Sequence, residues 1–315
     1  MINAVLTLAA ALLDAAIGDP PRAPHAVRLM GRAIAWLEPV LRAVFGQGPS
    51  LIWAGLVMII LVAGGAWLAA SGLLALAGAL WAPLYWLVWL LLAFQSLAAG
   101  QLYREAARVL AALETGDLPL ARRRLSMIVG RETANLDQTQ VRRAVIETVA
   151  ENFNDGVVAP LFFLALGGPA LALTYKAVNT MDSMVGYENF RYFFLGRLPA
   201  RLDDVAGYIP ARISALLLSA GALLTGSNGN GAWQKALAEH SHHKSPNAGW
   251  PEAAAAGALD LRLGGPNHYH GVLVEKPWLN PDGRDPAPGD AAACLRMFAA
   301  ACVLASALAA LAGLI

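Results

Sequence analysis

Three carboxylates stand four residues apart in the stretch RRAVIETVAENFNDGVVAPLFF: Glu147, Glu151 and Asp155. On a helix that spacing puts them on one face, with Ile146, Val149 and Phe153 on an apolar stripe opposite. Like charges one turn apart weaken a helix unless something positive lies between them. A metal ion or a cationic substrate group would supply that charge. Taken alone, the stretch also fits a plainer reading, a solvated acidic face in which Arg143 pairs with Glu147.

A second group contains Lys176, Asn179, Thr180, Asp182, Ser183, Gly186 and Tyr187. If helical, Asn179, Asp182 and Gly186 share a face and Lys176 and Thr180 flank it. An amide, a carboxylate and hydroxyls at membrane depth are costly unless paired or functional. Their oxygens suit Mg²⁺, which keeps waters and substrate phosphates as its other ligands; interhelical hydrogen bonds are the bland use of the same groups. A third group runs through Gly196, Arg197, Arg201, Asp203, Asp204 and Arg212. Here arginine forks could grip phosphate while aspartates hold a metal, or the charges could simply form surface salt bridges.

The fourth group extends from His243 to Glu252, where Ser245, Pro246, Asn247 and Gly249 imply a tight turn able to offer backbone N–H groups to an anion. His240, His242 and His243 lack the spaced partners of a transition-metal site, so a polar loop is expected there. Walker A, GxGxxG and HExxH patterns are absent from the chain. Asp155 to Ala159 opens like the CDP-alcohol phosphotransferase signature, but Pro160 and the apolar run after it exclude that family.

These groups sit in an apolar frame. Of 315 residues, 57% are hydrophobic and only 14% charged, against about a quarter charged in typical soluble domains. The reading is an all-α, polytopic integral membrane protein, one membrane domain over 1–315, with amphipathic cytoplasmic helices and re-entrant half-helices. Net charge is +1 and no basic tract occurs, so no nucleic acid is expected as a partner. Cys294 and Cys302 lie among alanines and read as small packing residues.

Apolar segments are expected at about 2–17, 51–70, 73–97, 157–175, 213–226 and 297–315, separated by polar segments 98–156, 176–212 and 227–290. The first lacks the basic flank of a cleaved signal and carries Asp14, so it reads as a retained span. No Asp, Glu, Lys or Arg occurs between Arg42 and Arg104, enough for two spans of about 20 residues with a break near Ser71 and Gly72. Tryptophans 53, 67, 81, 86 and 89 suit its interfacial belts. Segment 98–156 carries eight arginines, which places it on the cytoplasmic side. Within it, Asp137 and Gln140 have the spacing of a capping box that starts the helix bearing Glu147. Gly167, Gly168 and Pro169 interrupt the segment 157–175 and favour two half-helices that dip in and return. Segment 227–290, rich in Gly and Pro, reads as mostly loop.

Taken together the polar strings resemble the adenosylcobinamide-phosphate synthase family of cobalamin biosynthesis, known as CobD or CbiB. The strings are GDP at Gly18, HAVRLMGR from His25 to Arg32, GRET at Gly130 with Leu136 and Asp137, and Glu147 through Pro160. They continue with NTMDSMVGY from Asn179 to Tyr187, Arg191 and Tyr192, RLDD from Arg201, PAR from Pro210, and Ser245 through Pro266. Their order and spacing hold from about residue 14 to 280. Ala26 departs from an expected proline, Glu132 from a more usual Asp, and residues 190–196 from the commoner form; none removes an acidic or basic group from the candidate site.

The resemblance implies a ligase in the inner (cytoplasmic) membrane, multi-pass, with its active site facing the cytoplasm. Such an enzyme joins adenosylcobyric acid to (R)-1-amino-2-propanol phosphate, or ethanolamine phosphate, with ATP as co-substrate and Mg²⁺, giving adenosylcobinamide phosphate. Its surroundings would be the lipid bilayer and other late cobalamin-assembly enzymes. For that chemistry residue type nominates Glu147, Glu151, Asp155 and Asp182 as catalytic carboxylates, and Glu151, Asp155, Asp182, Asp203 and Asp204 as metal ligands. Arg131, Lys176, Asn179, Ser183, Arg197, Arg212 and Asn247 are the candidate substrate binders. A corrinoid-binding or transport protein without catalysis is the other class; its usual short loops argue against it, given polar segments of about sixty residues.

Overall fold

The computed structural model describes residues 1–19, 24–269 and 272–314; among these, helices predominate and the strands form two short antiparallel pairs. Among the described residues, five helices are long and apolar enough to cross a membrane. The chain forms two compact units: Met1–Ala98, Ala159–Gly207 and Ser306–Ile315 make the first, and Ala99–Val158 and Tyr208–Ala305 the second.

The first unit is the more apolar. It holds α1 (Ile2–Ile17), α2 (Ala26–Phe45), α3 (Leu51–Ile59), α4 (Gly65–Leu80), α5 (Ala82–Ser96) and α9 (Ala159–Val185). A π-helical turn, Ile60–Gly64, joins α3 to α4, so 51–80 runs as one rod. The expected break at Ser71 and Gly72 is therefore misplaced. It falls at Trp81, whose extended backbone (φ −168°, ψ 129°) ends α4 while Pro83 starts α5. A lone Ser-Gly pair is tolerated in an apolar helix, whereas a proline in the first turn favours a new start. Helix α5 packs against α1, α4 and α9. Met30, Ile34, Met58, Leu173, Met181 and Leu195 belong to one buried cluster that ties α2, α3 and α9 together. Leu68, Leu73, Leu76 and Leu80 face outward, as lipid-contacting side chains would.

Helix α9 is broken where GGP stands: Gly167 (φ −150°, ψ 21°) and Gly168 (φ 69°, ψ −168°) leave the helical region. Two helical arms result, 159–166 and 169–185. The positive φ of Gly168 is a conformation that side-chain-bearing residues rarely adopt.

The second unit contains α6 (Ala99–Glu114), α7 (Leu118–Leu125), α8 (Gln138–Phe153), α11 (Gly229–Glu239) and α12 (Gly249–Leu259), with most of α10 (Arg197–Leu224) and α13 (Asp290–Ala312). The capping box is formed: Asp137 accepts from the Gln140 N–H at 2.8 Å, and Gln140 Oε1 accepts from the Asp137 N–H at 2.8 Å. Helix α8 is thus fixed at its start and buries Val145, Ile146, Val149 and Phe153, the last edge-on to Phe298 at 5.7 Å between ring centres. Segment 227–290 is not mostly loop, since α11 and α12 fill much of it and pack on each other. Asn228 caps α11 by accepting from the Gly231 N–H at 2.8 Å. Helix α12, GWPEAAAAGAL, is buried on every side; it carries no amphipathic stripe, so its helical nature is hidden from a periodicity reading. After it, β1 (Leu263–Gly264) pairs antiparallel with β4 (Trp278–Leu279), and β2 (Asn267–Tyr269) with β3 (Val272–Val274).

Candidate functional site

A cavity of about 220 Å³ opens in the second unit, lined by residues from four separate stretches. Helix α8 supplies Glu147, Thr148 and Glu151; the preceding loop supplies Gly130 and Arg131. His242, His243 and Lys244 come from the turn before α12, Glu252 from the first turn of α12, and Asn267 and Lys276 from the hairpin region.

Glu147 anchors the cavity wall. It forms an ion pair with Arg131 Nη2, and its Oε1 accepts from the Gly264 N–H at 2.6 Å. Arg131 also donates to Asn267 Oδ1 at 3.1 Å. Both carboxylate oxygens of Glu147 are therefore engaged, and Arg131, not Arg143, is the partner. Arg143 pairs with Asp285 and lies 4.8 Å over the Trp278 ring. Gly264, at φ 79°, brings the backbone close, and a Cβ there would meet the Pro277 carbonyl oxygen at 2.8 Å. Glu151 keeps solvent access and faces the cavity one turn further on.

Opposite, the Ser245 N–H donates to His243 Nδ1 at 3.0 Å. A donated amide needs the Nδ1 lone pair, so the ring proton sits on Nε2, and Nε2 lies 3.6 Å from Glu252 Oε1. Burial pushes the Glu252 carboxyl well above its ordinary range, helped by the charges of Glu151 and Glu147 and opposed by Lys276 and Arg131. Burial, with Lys276 nearby, holds His243 below its ordinary value. The two groups thus favour an uncharged pair: a carboxylic acid beside a neutral imidazole.

The remaining nominated residues lie elsewhere. Asp155 does not line the cavity; it sits in a π-helical turn, Asn154–Val158, and accepts from Asn154 Nδ2 at 2.7 Å. The i→i+5 pattern of that turn departs from the regular helical period on which the four-spaced face was read. Arg212 donates to the Tyr208 carbonyl at 2.6 Å and stacks 3.4 Å from the Tyr208 ring and 4.8 Å from Trp250, which itself stacks on His240 at 4.0 Å. Asn247 is buried in the turn, whose amides are spent locally: the N–H groups of Asn247 and Ala248 both donate to Ser245 Oγ at 3.2 Å. They do not form the expected anion cradle.

Lys176, Asn179, Asp182, Ser183, Arg197, Asp203 and Asp204 belong to the first unit. Buried Lys176 donates to Asn179 Oδ1 at 3.4 Å, and Asn179 donates to Asp203 Oδ1 at 3.3 Å. Ser183 is back-bonded to the Asn179 carbonyl at 2.9 Å, and Arg197 lies 6.0 Å over the Phe193 ring. A Cβ at Gly186 would stand 2.0 Å from Asp182 Oδ1 and 2.6 Å from the Asp182 carbonyl oxygen, so the glycine makes room for that carboxylate. Of the five carboxylates proposed for a metal, only Glu151 lines the cavity. Among the described residues, no three His, Cys, Asp or Glu are grouped as a preformed metal site.

His243, Lys244 and Glu252 belong to the fourth group and His242 to the histidine tract beside it, though none of them was given a role there; Lys276 and Asn267 fall outside every group. One signal was available: a single Glu inside the alanine-rich run WPEAAAAGAL, where an unpaired buried charge would be expensive.

Among the described residues, five helices able to cross a membrane and a cavity lined by charged side chains define a polytopic membrane protein with a polar site. The chain belongs to the CobD/Cbib protein family, whose profile matches residues 7–298. It is 48% identical over 297 residues to a "Cobalamin biosynthesis protein CobD" of Klebsiella pneumoniae, covering 94% of this chain and 93% of that protein. It is 46% identical, with the same coverage, to a "Cobalamin biosynthesis protein CbiB" of Salmonella arizonae. A Yersinia enterocolitica protein named CobD is 45% identical over 310 residues, covering 93% of this chain and 92% of that protein. No solved structure matches the chain.

Proposed function

We propose that this protein acts in cobalamin biosynthesis as an ATP-dependent amide ligase, joining adenosylcobyric acid to (R)-1-amino-2-propanol phosphate or ethanolamine phosphate. The observation that carries the reading is the cavity itself, where a buried acid with a raised pKa, Glu252, shares walls with Lys276, Lys244 and Glu151. In the reaction a propionate oxygen of the corrinoid takes the terminal phosphoryl group of ATP and ADP leaves. The amine nitrogen then attacks the acyl carbon, and phosphate departs with that oxygen. An ammonium cannot attack until it loses a proton, and a carboxylate whose pKa is raised by burial is a stronger base than an ordinary one and better suited to accept it. Ionised Glu252 is that acceptor, and the Nε2–H of His243 faces its negative charge until the proton arrives. A second proton leaves as the amide forms.

Mg²⁺ fits this donor set in the way it usually binds, through one or two carboxylates with substrate phosphates completing its shell. Glu151 would hold it, Glu147 being committed to Arg131 and Gly264; when bound, the ion neutralises phosphate charge. The cavity lies below the ~300–1,000 Å³ of pockets for drug-sized ligands. The corrinoid, far larger, would present only its propionate arm. The membrane is the cell's inner membrane, with the cavity on the cytoplasmic side beside ATP and other late enzymes of the pathway; the eight arginines of 98–156 support that side.

The test is turnover by purified protein given adenosylcobyric acid, ATP, Mg²⁺ and each amino-alcohol phosphate in turn, with the product identified by mass. Corrinoid binding without any ATP-dependent gain of mass would favour the non-catalytic reading instead.

A further inference from the structure

A second cavity, of about 600 Å³, opens in the first unit between the turn that joins α2 to α3 and the stretch 188–194. The apolar rod Gly48–Leu80, long enough to cross a membrane, begins in its wall. The cavity thus stands at the end of a span, where hydrocarbon meets headgroups. Two arginines of the wall share one acceptor. Glu38, buried in α2, accepts from Arg42 Nε and from Arg191 Nε, each at 3.0 Å. The Tyr192 ring centre lies 5.7 Å from the first guanidinium and 5.2 Å from the second. Arg42 also donates to the Arg191 carbonyl at 2.6 Å, which ties 188–194 to α2. One carboxylate therefore orients two guanidiniums, and the Arg191 side chain stays 66% exposed. Arg197, over the Phe193 ring at 6.0 Å, adds a third cation, and Glu188 in the wall a second carboxylate. Three positive charges against two negative favour an anion.

The apolar surface around the cavity points to a lipid as the carrier of that anion. Phe190 is fully exposed and Phe193 half exposed. Helix α2 buries Ile34 and Leu41 but leaves Leu29, Trp36, Val40 and Val44 exposed on the adjoining stripe. Arg28, Arg32 and Arg42 fall on the remaining face. A wide apolar arc opposite a basic face is the pattern of a helix lying in a membrane interface. We propose that this cavity binds an anionic phospholipid of the surrounding membrane, with the lipid phosphate at the guanidiniums of Arg191 and Arg42 and the acyl region against Phe190 and Phe193. Guanidinium forks match phosphate oxygens, and aromatic rings are at home at headgroup level. At about 600 Å³ the space falls within the ~300–1,000 Å³ of pockets for drug-sized ligands, enough for a headgroup with its glycerol.

The experiment is native mass spectrometry of the full-length protein in detergent, titrated with dioleoylphosphatidylglycerol, dioleoylphosphatidylcholine and glycerol 3-phosphate. The two lipids share acyl chains and a phosphate but differ in net charge, and glycerol 3-phosphate lacks the chains. Phosphatidylglycerol is expected to bind about fivefold tighter than phosphatidylcholine, the effect of roughly one basic residue at a membrane surface. It should also bind at least about 10-fold tighter than glycerol 3-phosphate, whose missing chains forfeit the apolar contact. Arg191→Gln should bring the two lipids within about twofold of each other, and Phe190→Ser should weaken both alike. Glu188→Gln, at an exposed position, should tighten phosphatidylglycerol alone; it carries the charge test if Arg191→Gln fails to give a cooperative thermal transition. Equal binding of the two lipids by the wild type, or unchanged selectivity in the charge variants, would overturn the proposal. So would undiminished lipid binding in Phe190→Ser. Glycerol 3-phosphate bound as tightly as phosphatidylglycerol would make this a site for a soluble phosphate and overturn it too.

Discussion

His243 Nε2 and Glu252 Oε1 lie 3.6 Å apart across the cavity, close enough for an ion pair and too far for a hydrogen bond. Burial lowers the first group's pKa and raises the second's, so the gap separates two neutral partners over part of the pH range. A proton acceptor that must be ionised to work should therefore show an acid limb in the rate.

The sign of the stability effect differs for the two groups. Glu252, with its folded pKa raised, contributes stability that is full below its ordinary value of 4.5 and is lost as pH rises through the folded value. His243, with its folded pKa lowered, contributes stability that is full above 6.5 and is lost as pH falls below that toward the folded value. Glu252→Gln removes the first dependence and keeps the shape. Thermal midpoints at pH 8 should match or exceed those of the wild type, while amide formation falls by about 10²- to 10⁴-fold. A variant that melts much earlier than wild type at pH 8 would show that the ionised carboxylate holds the fold.

Glu147 should behave as an anchor. Replacing it by Gln leaves Arg131, whose side chain is 12% exposed, without its counter-charge, and loosens the Gly264 contact. Breaking a buried pair on one side costs about 3–5 kcal/mol. Chemical denaturation of Glu147→Gln should register a loss of that order. Wild-type stability with lost turnover would move Glu147 into the chemistry.

Much of this was legible in the chain. The cap at Asp137, the four-spaced pair of Glu147 and Glu151, and the break at Gly167 and Gly168 are local features whose signals span one or two helical turns. The break at Trp81 was not, because Ser71 and Gly72 carry the stronger turn chemistry while the proline signal at Pro83 acts only from the next helix. That Glu252, the end of the fourth group, and Lys276 share a cavity with Glu151 was hidden for a different reason. They join Glu151 across about a hundred residues of chain, and no spacing rule reaches that far. The π-helical turn at 154–158, which carries Asp155, was not legible either, because a regular 3.6-residue period cannot anticipate it.

Gly186 and Asp182 should fail together. A Cβ at 186 cannot coexist with the Asp182 carboxylate and carbonyl where they stand, so Gly186→Ala must displace them. If Asp182 serves substrate or metal, Gly186→Ala and Asp182→Asn will lose activity to a similar extent. Full activity in Gly186→Ala would leave Asp182 with a packing role, and steady-state rates on reconstituted protein decide it.

Arg212 should prove structural. Its guanidinium is sandwiched by the Tyr208 and Trp250 rings, and such stacking contributes on the order of 1–2 kcal/mol when desolvated. Arg212→Lys is expected to lower the melting temperature and to leave the KM for the amino-alcohol phosphate within about twofold. A KM raised tenfold at unchanged stability would return Arg212 to the phosphate.

The most direct measurement of the central claim is single-turnover amide formation at the cavity. Wild-type protein, Glu151→Gln and Glu252→Gln are each mixed with adenosylcobyric acid, ATP, Mg²⁺ and (R)-1-amino-2-propanol phosphate, and the corrinoid product is weighed by mass spectrometry over time. The account predicts adenosylcobinamide phosphate from the wild type and rates at least 100-fold lower in both folded variants. Wild-type rates in the variants, or no amide product from the wild type, would contradict it.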